Sequence, residues 1–344
     1  MPRLILPPAP PPAPLLLTLL HDSYRRITHR TPTTSRLDLL LHRALHDPTL
    51  GPLLTIPPLT DVRIIDWIAR HHDTLVDTVT TTALAGHNQQ VVDLVTLLLL
   101  LAHHRPGPPW ITRLTDLGLA ATHRPDRLHD RAVLCELGAR RHTAHGHLAT
   151  AGALLDLQHR TLAANPDGPA VTWTRALLWR RIRLAWLRGH VEHAHSLLHV
   201  LDALLRDHPD PHHRLLTRIA HAEILTHTGD LATAEHLLAA AAATATGVPR
   251  SIVERVDALL GIGHIRHHTL GTDAARAQWH HILTLVDNAL DPTHDRPLDP
   301  PLRDALTQRR RHTHALLALP PGHPPRPHPE FTVLHPTAPR HHHT

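Results

Sequence analysis

Five glycines fall at nearly even intervals along the chain: Gly107, Gly146, Gly189, Gly229 and Gly271, spaced 39, 43, 40 and 42 residues apart. Each separates two stretches in which apolar residues recur every three or four positions. Between Arg214 and Pro249 the first stretch carries Leu215, Leu216, Ile219, Ala222 and Leu225. The second carries Leu231, Ala234, Leu237, Leu238, Ala241 and Ala242. That spacing puts the apolar side chains on adjoining faces of a helix. Asp230, next to Gly229, can cap the second helix by accepting from the free N–H groups of its first turn, and Gly247-Val248-Pro249 ends it. The flanking residues keep phase. Ala151, Ala194 and Ala234 follow three of the glycines by five residues, and Pro166, Pro209 and Pro249 follow them by twenty, with Pro292 one later in the last unit. A helix–turn–helix unit at such a period cannot bury its apolar face alone. Stacked neighbours bury it for one another, which predicts an all-α solenoid.

These residues resemble tetratricopeptide repeats: glycine, alanine five on, leucine nine on (Leu155, Leu198, Leu238), proline after the second helix, and small residues at Ala139 and Ala222 seven before the glycine. The usual period is about 34 residues, so the helices here are expected to be a turn longer. The resemblance implies a right-handed superhelical α-solenoid of five helix–turn–helix repeats with N-terminal helices and a C-terminal capping helix. Arg276 and His280 stand where alanine and leucine are expected in the last repeat, which reads as degenerate.

Four segments follow in chain order. Residues 1–14 are a Pro-rich leader, stiff and unable to pack. Residues 15–86 are an N-terminal helical region, with helices at Leu15–Thr28 and Thr34–His46, a proline-rich loop at Asp47–Pro58, and a longer helical pattern from Thr60 that closes at Gly86. Residues 87–319 are the repeat array. It pairs Gln89–His104 with Pro109–Thr122, Asp126–His145 with His147–Ala164, Ala170–Arg188 with Val191–Asp207, the two helices of 214–249, and Ser251–Thr269 with Thr272–Leu290. Leu302–Leu319 is expected to cap the open end. The tail, 320–344, is rich in Pro and His and is expected to be disordered. The segment Leu20-His21-Asp22-Ser23-Tyr24-Arg25-Arg26 with Leu37–Ala44, and the pattern Trp67, Leu75, Ala83, Gly86 before the repeats, resemble the C-terminal sensor region of actinobacterial STAND transcriptional regulators. There is no GxxxxGK[ST] loop to cradle phosphates and no recognisable DNA-reading helix-turn-helix before the array. The resemblance therefore implies the sensor or adaptor part alone.

Composition narrows the function classes. Aromatic residues are only 2%, so packing rests on Leu, Ala, Ile and Val. The 35 basic residues are all Arg, and His numbers 39. Such usage fits a high-GC genome in which His and Arg fill ordinary surface positions. The formal charge of +5 is spread from Arg3 to Arg340 and not gathered on one arm, so no direct nucleic-acid contact is expected. One cysteine, Cys135, excludes an internal disulfide and fits a reducing, cytoplasmic setting. It lies on an apolar helix face with Val133, Leu134 and Leu137, where it is expected to pack. The prolines between Pro7 and Pro14 interrupt any signal-type apolar run, and Val91–Ala102 is too short to span a bilayer. No membrane partner is expected.

Chemical motifs are sparse. With no GxSxG elbow, no phosphate loop and no paired carboxylates at a defined spacing, no catalytic residue and no cofactor is expected. His195 and His199, and likewise His264 and His268, lie four apart and so share a helix face. At this His content such pairs arise by chance. Without HExxH, CxxC or enough acidic neighbours, no metal site is expected.

The remaining feature is a stripe. In arrays of this kind the first helices line the concave surface. Counting back from each glycine places Trp179, Arg180, Arg183 and Trp186 on one face of the third repeat, Glu136 and Arg140 in the second, and Glu223 and His227 in the fourth. Arg140, Arg183 and Glu223 occupy the same repeat position. Arginine's planar fork can hold a carboxylate through two parallel bonds, and two tryptophans would exclude water. Arg140, Trp179, Arg180, Arg183, Trp186, Glu223 and His227 are thus the candidate partner-binding residues, for a protein or peptide that is acidic. The alternative puts Trp179 and Trp186 in the core and points the arginines into solvent. The expected function is non-enzymatic: an intracellular helical-repeat protein holding a protein or peptide in its groove in a regulatory role. The alternative is the sensor half of a transcriptional system acting with a separate NTPase or DNA-binding chain.

Overall fold

The structure is a computed structural model that describes residues 9–10, 12–17, 19–20, 62–101, 107–124, 127–164, 171–248, 251–291, 300–320 and 334. Among these residues all regular structure is helical and there is no strand. The helices are α1 Val62–Arg70, α2 His72–Leu84, α3 Asn88–Leu101, α4 Pro108–Ala121, α5 Leu128–Ala144, α6 Leu148–Ala163, α7 Val171–Leu187, α8 Val191–Asp207, α9 Pro211–Thr228, α10 Leu231–Ala245, α11 Ile252–Leu270, α12 Thr272–Leu290 and α13 Pro300–Leu317. Residues 13–17 and 19–20 are also helical. None of the described helices is long and apolar enough to cross a membrane. The expected helix Thr34–His46 and loop Asp47–Pro58 lie outside the described residues. So do most of the helix expected at Leu15–Thr28, the start of the leader, and the tail apart from 320 and 334.

The chain divides into two compact units, residues 1–184 with 338–344, and residues 185–337. In the first, α3 packs with α4 and α5 with α6, α4 lies on α5, and α3 also touches α5. Every residue of α3 from Leu94 to Leu101 is buried. A helix apolar on all sides must be surrounded, and α1, α2, α4 and α5 surround this one. Trp110 of α4 donates its indole N–H to the His72 carbonyl at 2.8 Å, satisfying the polar end of a buried ring. Cys135 is buried as expected, and burial pushes its thiol up to about 12.

In the second unit α8 packs on α9, and each helix from α9 to α13 packs on the next. The first helices also stack directly, α9 on α11 and α11 on α13. Leu215, Ile219 and Ala222 of α9 and Ala234, Leu238, Ala241 and Ala242 of α10 meet in the core. Asp230 caps α10 as the sequence predicts, its carboxylate accepting from the Thr233 N–H at 3.2 Å.

The turn glycines need one correction. Gly146, Gly189, Gly229 and Gly271 adopt positive φ, but the first glycine in the series to do so is Gly86, not Gly107. Gly107 is extended (φ −70°, ψ −179°) and precedes α4. The helical segment ending at Gly86 therefore turns directly into the array.

In the last helix pair the buried positions fall one residue earlier than the sequence spacing places them. Ala275 and Trp279, not Arg276 and His280, occupy the buried positions of α12, each 0% exposed. In the fourth repeat Asp230 stands between Gly229 and the first helical residue, Leu231. In the fifth, Gly271 ends α11 and immediately precedes α12, which begins at Thr272. Losing that one residue rotates the apolar face one position earlier. The last helix, α13, packs on α11 and α12 and buries Leu306 and Leu316.

Candidate functional site

Four of the stripe residues, Arg140, Trp179, Arg180 and Arg183, belong to the first unit. Glu136 and Arg140 lie one turn apart on α5, and Arg180 reaches them from α7. The Nε groups of both arginines donate to the same oxygen, Glu136 Oε1, at 2.6 and 2.7 Å. The Glu136 side chain is 1% exposed, against 15% and 16% for the arginines. Burial opposes ionisation of Glu136, yet Arg140 and Arg180 outweigh it and hold the carboxyl below its ordinary range. Burial first, and then repulsion from Arg180, pushes Arg140 down to about 10. A buried carboxylate thus needs both cations, since an unpaired charge here would be costly.

This corrects the expectation that Arg140 and Arg180 wait for an acidic ligand. The carboxylate they hold is the protein's own. Neighbouring Arg141, fully packed inside, donates to the Leu99 and Leu100 carbonyls at 2.6 and 2.9 Å, satisfying the end of α3. Arg183 and Trp179 are partly buried, and Arg183 has an interaction of its own. The Trp179 indole N–H is buried and has no hydrogen-bond partner among the described residues.

The other three, Trp186, Glu223 and His227, lie in the second unit. Trp186 and His227 meet edge to face, their ring centroids 5.1 Å apart at 71°. Glu223, one turn before His227 on α9, is partly buried, and its Oε2 accepts the backbone N–H of Leu334 at 2.9 Å. Leu334 is fully buried, 0% exposed. At this residue the tail departs from the expected disorder: an aliphatic side chain is taken out of water and its N–H is paired. The sequence signal was the short apolar run Phe331-Thr332-Val333-Leu334, which holds the chain's one phenylalanine inside a Pro/His-rich stretch.

The histidines of the second unit also come together. His195 and His199 of α8 lie 4.6 Å apart between ring centroids, and His221 of α9 is 5.3 Å from one and 5.1 Å from the other. Asp202, one turn beyond His199, has its Oδ2 2.8 Å from His221 Nε2. Partial burial, followed by His199 and His221, holds His195 below its ordinary pKa. The signal for Asp202 was present as the spacing His195, His199, Asp202, which shares one helix face. His221 is contributed by the next helix. Among the described residues the pair His264 and His268 gathers no such set: His264 stacks on His312 at 6.1 Å, and its Nδ1 lies 2.8 Å from the Leu260 carbonyl, within its own helix.

Comparison with protein-family models, with curated proteins and with solved structures gives no match to this chain. The class that the fold itself defines is an all-helical protein built from neighbouring helix pairs.

Proposed function

We propose that this chain is a helical-repeat protein of the tetratricopeptide type that acts by holding a protein or peptide segment on the first-helix face of its second unit. The observation that carries the proposal is the hydrogen bond from the Leu334 N–H to Glu223, together with the complete burial of Leu334. Glu223 belongs to the stripe that the repeat spacing points to as a binding surface, and Leu334 lies 111 residues further along the chain. A carboxylate that accepts a backbone N–H, beside a position that takes an aliphatic side chain, can hold a protein or peptide by one main-chain hydrogen bond and one apolar anchor. The chemistry differs from the acidic ligand expected from the arginines, because Glu136 already occupies Arg140 and Arg180. In this proposal Leu334 stands in for the partner and competes with it.

A displayed random-peptide library panned against the full-length protein tests this. The Leu334→Asp variant, which loses the internal anchor, should enrich peptides carrying an aliphatic residue more strongly than the wild type. Adding Glu223→Ala should weaken those peptides at least tenfold, since a hydrogen bond to a charged group contributes about 1.5–3 kcal/mol. Failure to enrich peptides on Leu334→Asp, or retention of affinity after Glu223→Ala, would count against this surface.

A further inference from the structure

We propose that His195, His199 and Asp202 of α8 with His221 of α9 form a binding site for a divalent transition-metal ion, with zinc the best fit. Ligand atoms of His199, Asp202 and His221 all lie within 4.8 Å of one another. Tetrahedral zinc with bonds near 2.0–2.1 Å holds its ligand atoms roughly 3.3 Å apart, so closure asks only for small side-chain rotations. The His195 ring lies within 5.3 Å of both other imidazoles, centroid to centroid, and a rotation of its side chain brings in the fourth donor.

The donor set argues for the class of ion. Three imidazoles and one carboxylate suit zinc, and also cobalt, nickel or copper, whereas calcium and magnesium require mostly oxygen. One carboxylate offsets half of the ion's charge. The site is reachable from water, because His199 is exposed and the other three are only partly buried. Asp202 Oδ2 lies 2.8 Å from His221 Nε2, so these two donor atoms already stand together, and an ion inserted between them replaces their hydrogen bond. Coordination through His221 Nε2 moves its proton to Nδ1.

Position argues for the consequence. His195, His199 and Asp202 sit on the second helix of one pair, and His221 on the first helix of the next. An ion bound to all four ties α8 to α9 across the junction between successive pairs. The four-ligand site is assembled only when α8 and α9 pack, so an ion bound there raises the melting temperature. This inference does not depend on the peptide-binding proposal.

The test uses the full-length chain with His341→Ala, His342→Ala and His343→Ala, which removes the weak chelator at the end. Cobalt chloride and then zinc chloride are titrated in. Four-coordinate cobalt absorbs far more strongly in the visible than the six-coordinate ion, so the band reports the geometry. The expected result is one cobalt per chain with a four-coordinate band, bleached by one equivalent of zinc, and a zinc-dependent rise in melting temperature. His199→Ala and His221→Ala should weaken binding at least a hundredfold, Asp202→Asn at least tenfold, and His268→Ala not at all. His199 is exposed, so its variant keeps the metal-free melting temperature and its loss of binding cannot be put down to unfolding. A six-coordinate spectrum, a band that survives His199→Ala, or binding abolished by the terminal substitutions alone would overturn the site.

Discussion

Arg309 grips Asp257 with two parallel hydrogen bonds, Nε to Oδ1 and Nη2 to Oδ2, each 2.7 Å long. The pair fastens the last helix, α13, to α11. Both side chains are nearly buried, at 6% and 10% exposure. Burial pushes the Asp257 carboxyl above its ordinary range, with Arg309 pulling it back. Removing one partner of such a pair leaves the other charge stranded.

Arg309→Met should therefore destabilise the protein by about 3–5 kcal/mol. The double variant Arg309→Met with Asp257→Leu should recover most of that loss, because neither charge then needs a partner. Urea melts of both variants check it. A single variant within about 1 kcal/mol of wild type would mean that Leu306 and Leu316, not the ion pair, hold α13 in place.

Three residues before Asp257, Glu254 sets up a pH dependence. Burial pushes its carboxyl up to about 7 from an ordinary 4.5, with Asp257 adding to the rise and its own backbone N–H and Arg309 opposing it. A folded-state pKa above the unfolded one means that the folded chain holds the proton longer. The contribution is fully present below pH 4.5 and is lost as pH rises through 7. The variant Glu254→Gln keeps a neutral side chain at every pH. Its stability advantage over wild type should be small at pH 4.5 and grow to on the order of 3 kcal/mol by pH 8. Paired denaturant melts across that range check the difference. A constant difference would show that Glu254 ionises in the fold as easily as in the unfolded chain.

Two glycines should respond oppositely to asparagine. Gly229 ends α9 at φ 92°, and a Cβ there would meet nothing within 4 Å. The turn requires glycine for its backbone angle and not for close helix approach. Gly229→Ala should cost about 1–2 kcal/mol, and Gly229→Asn less, because asparagine tolerates this conformation. Gly263 in α11 is the reverse case. Its Cβ would fall 2.5 Å from Nε1 of Trp279, a ring with no exposed surface that cannot retreat. Gly263→Ala should cost about 1–3 kcal/mol and Gly263→Asn more. Melting temperatures of the four variants check the ordering; equal penalties for alanine and asparagine at Gly229 would mean that φ is not the constraint.

What the sequence by itself determined is local. Apolar spacing of three and four, glycines that accept positive φ, and a carboxylate one residue after the turn specify helices, hairpins and the cap at Asp230, because each involves groups within a few residues of one another. The burial of α3 followed from its composition for the same reason. The tertiary structure alone decided which side chains meet across helices. Glu136 takes Arg180 from 44 positions away, His221 joins a helix it does not belong to, and Leu334 reaches Glu223. Those meetings depend on rotation and register between elements, which no short window encodes: one residue fewer after Gly271 turned the whole face of α12. The arginines looked available for a ligand because their spacing was visible and the buried depth of Glu136 was not. Depth, unlike periodicity, is created only when the helices pack.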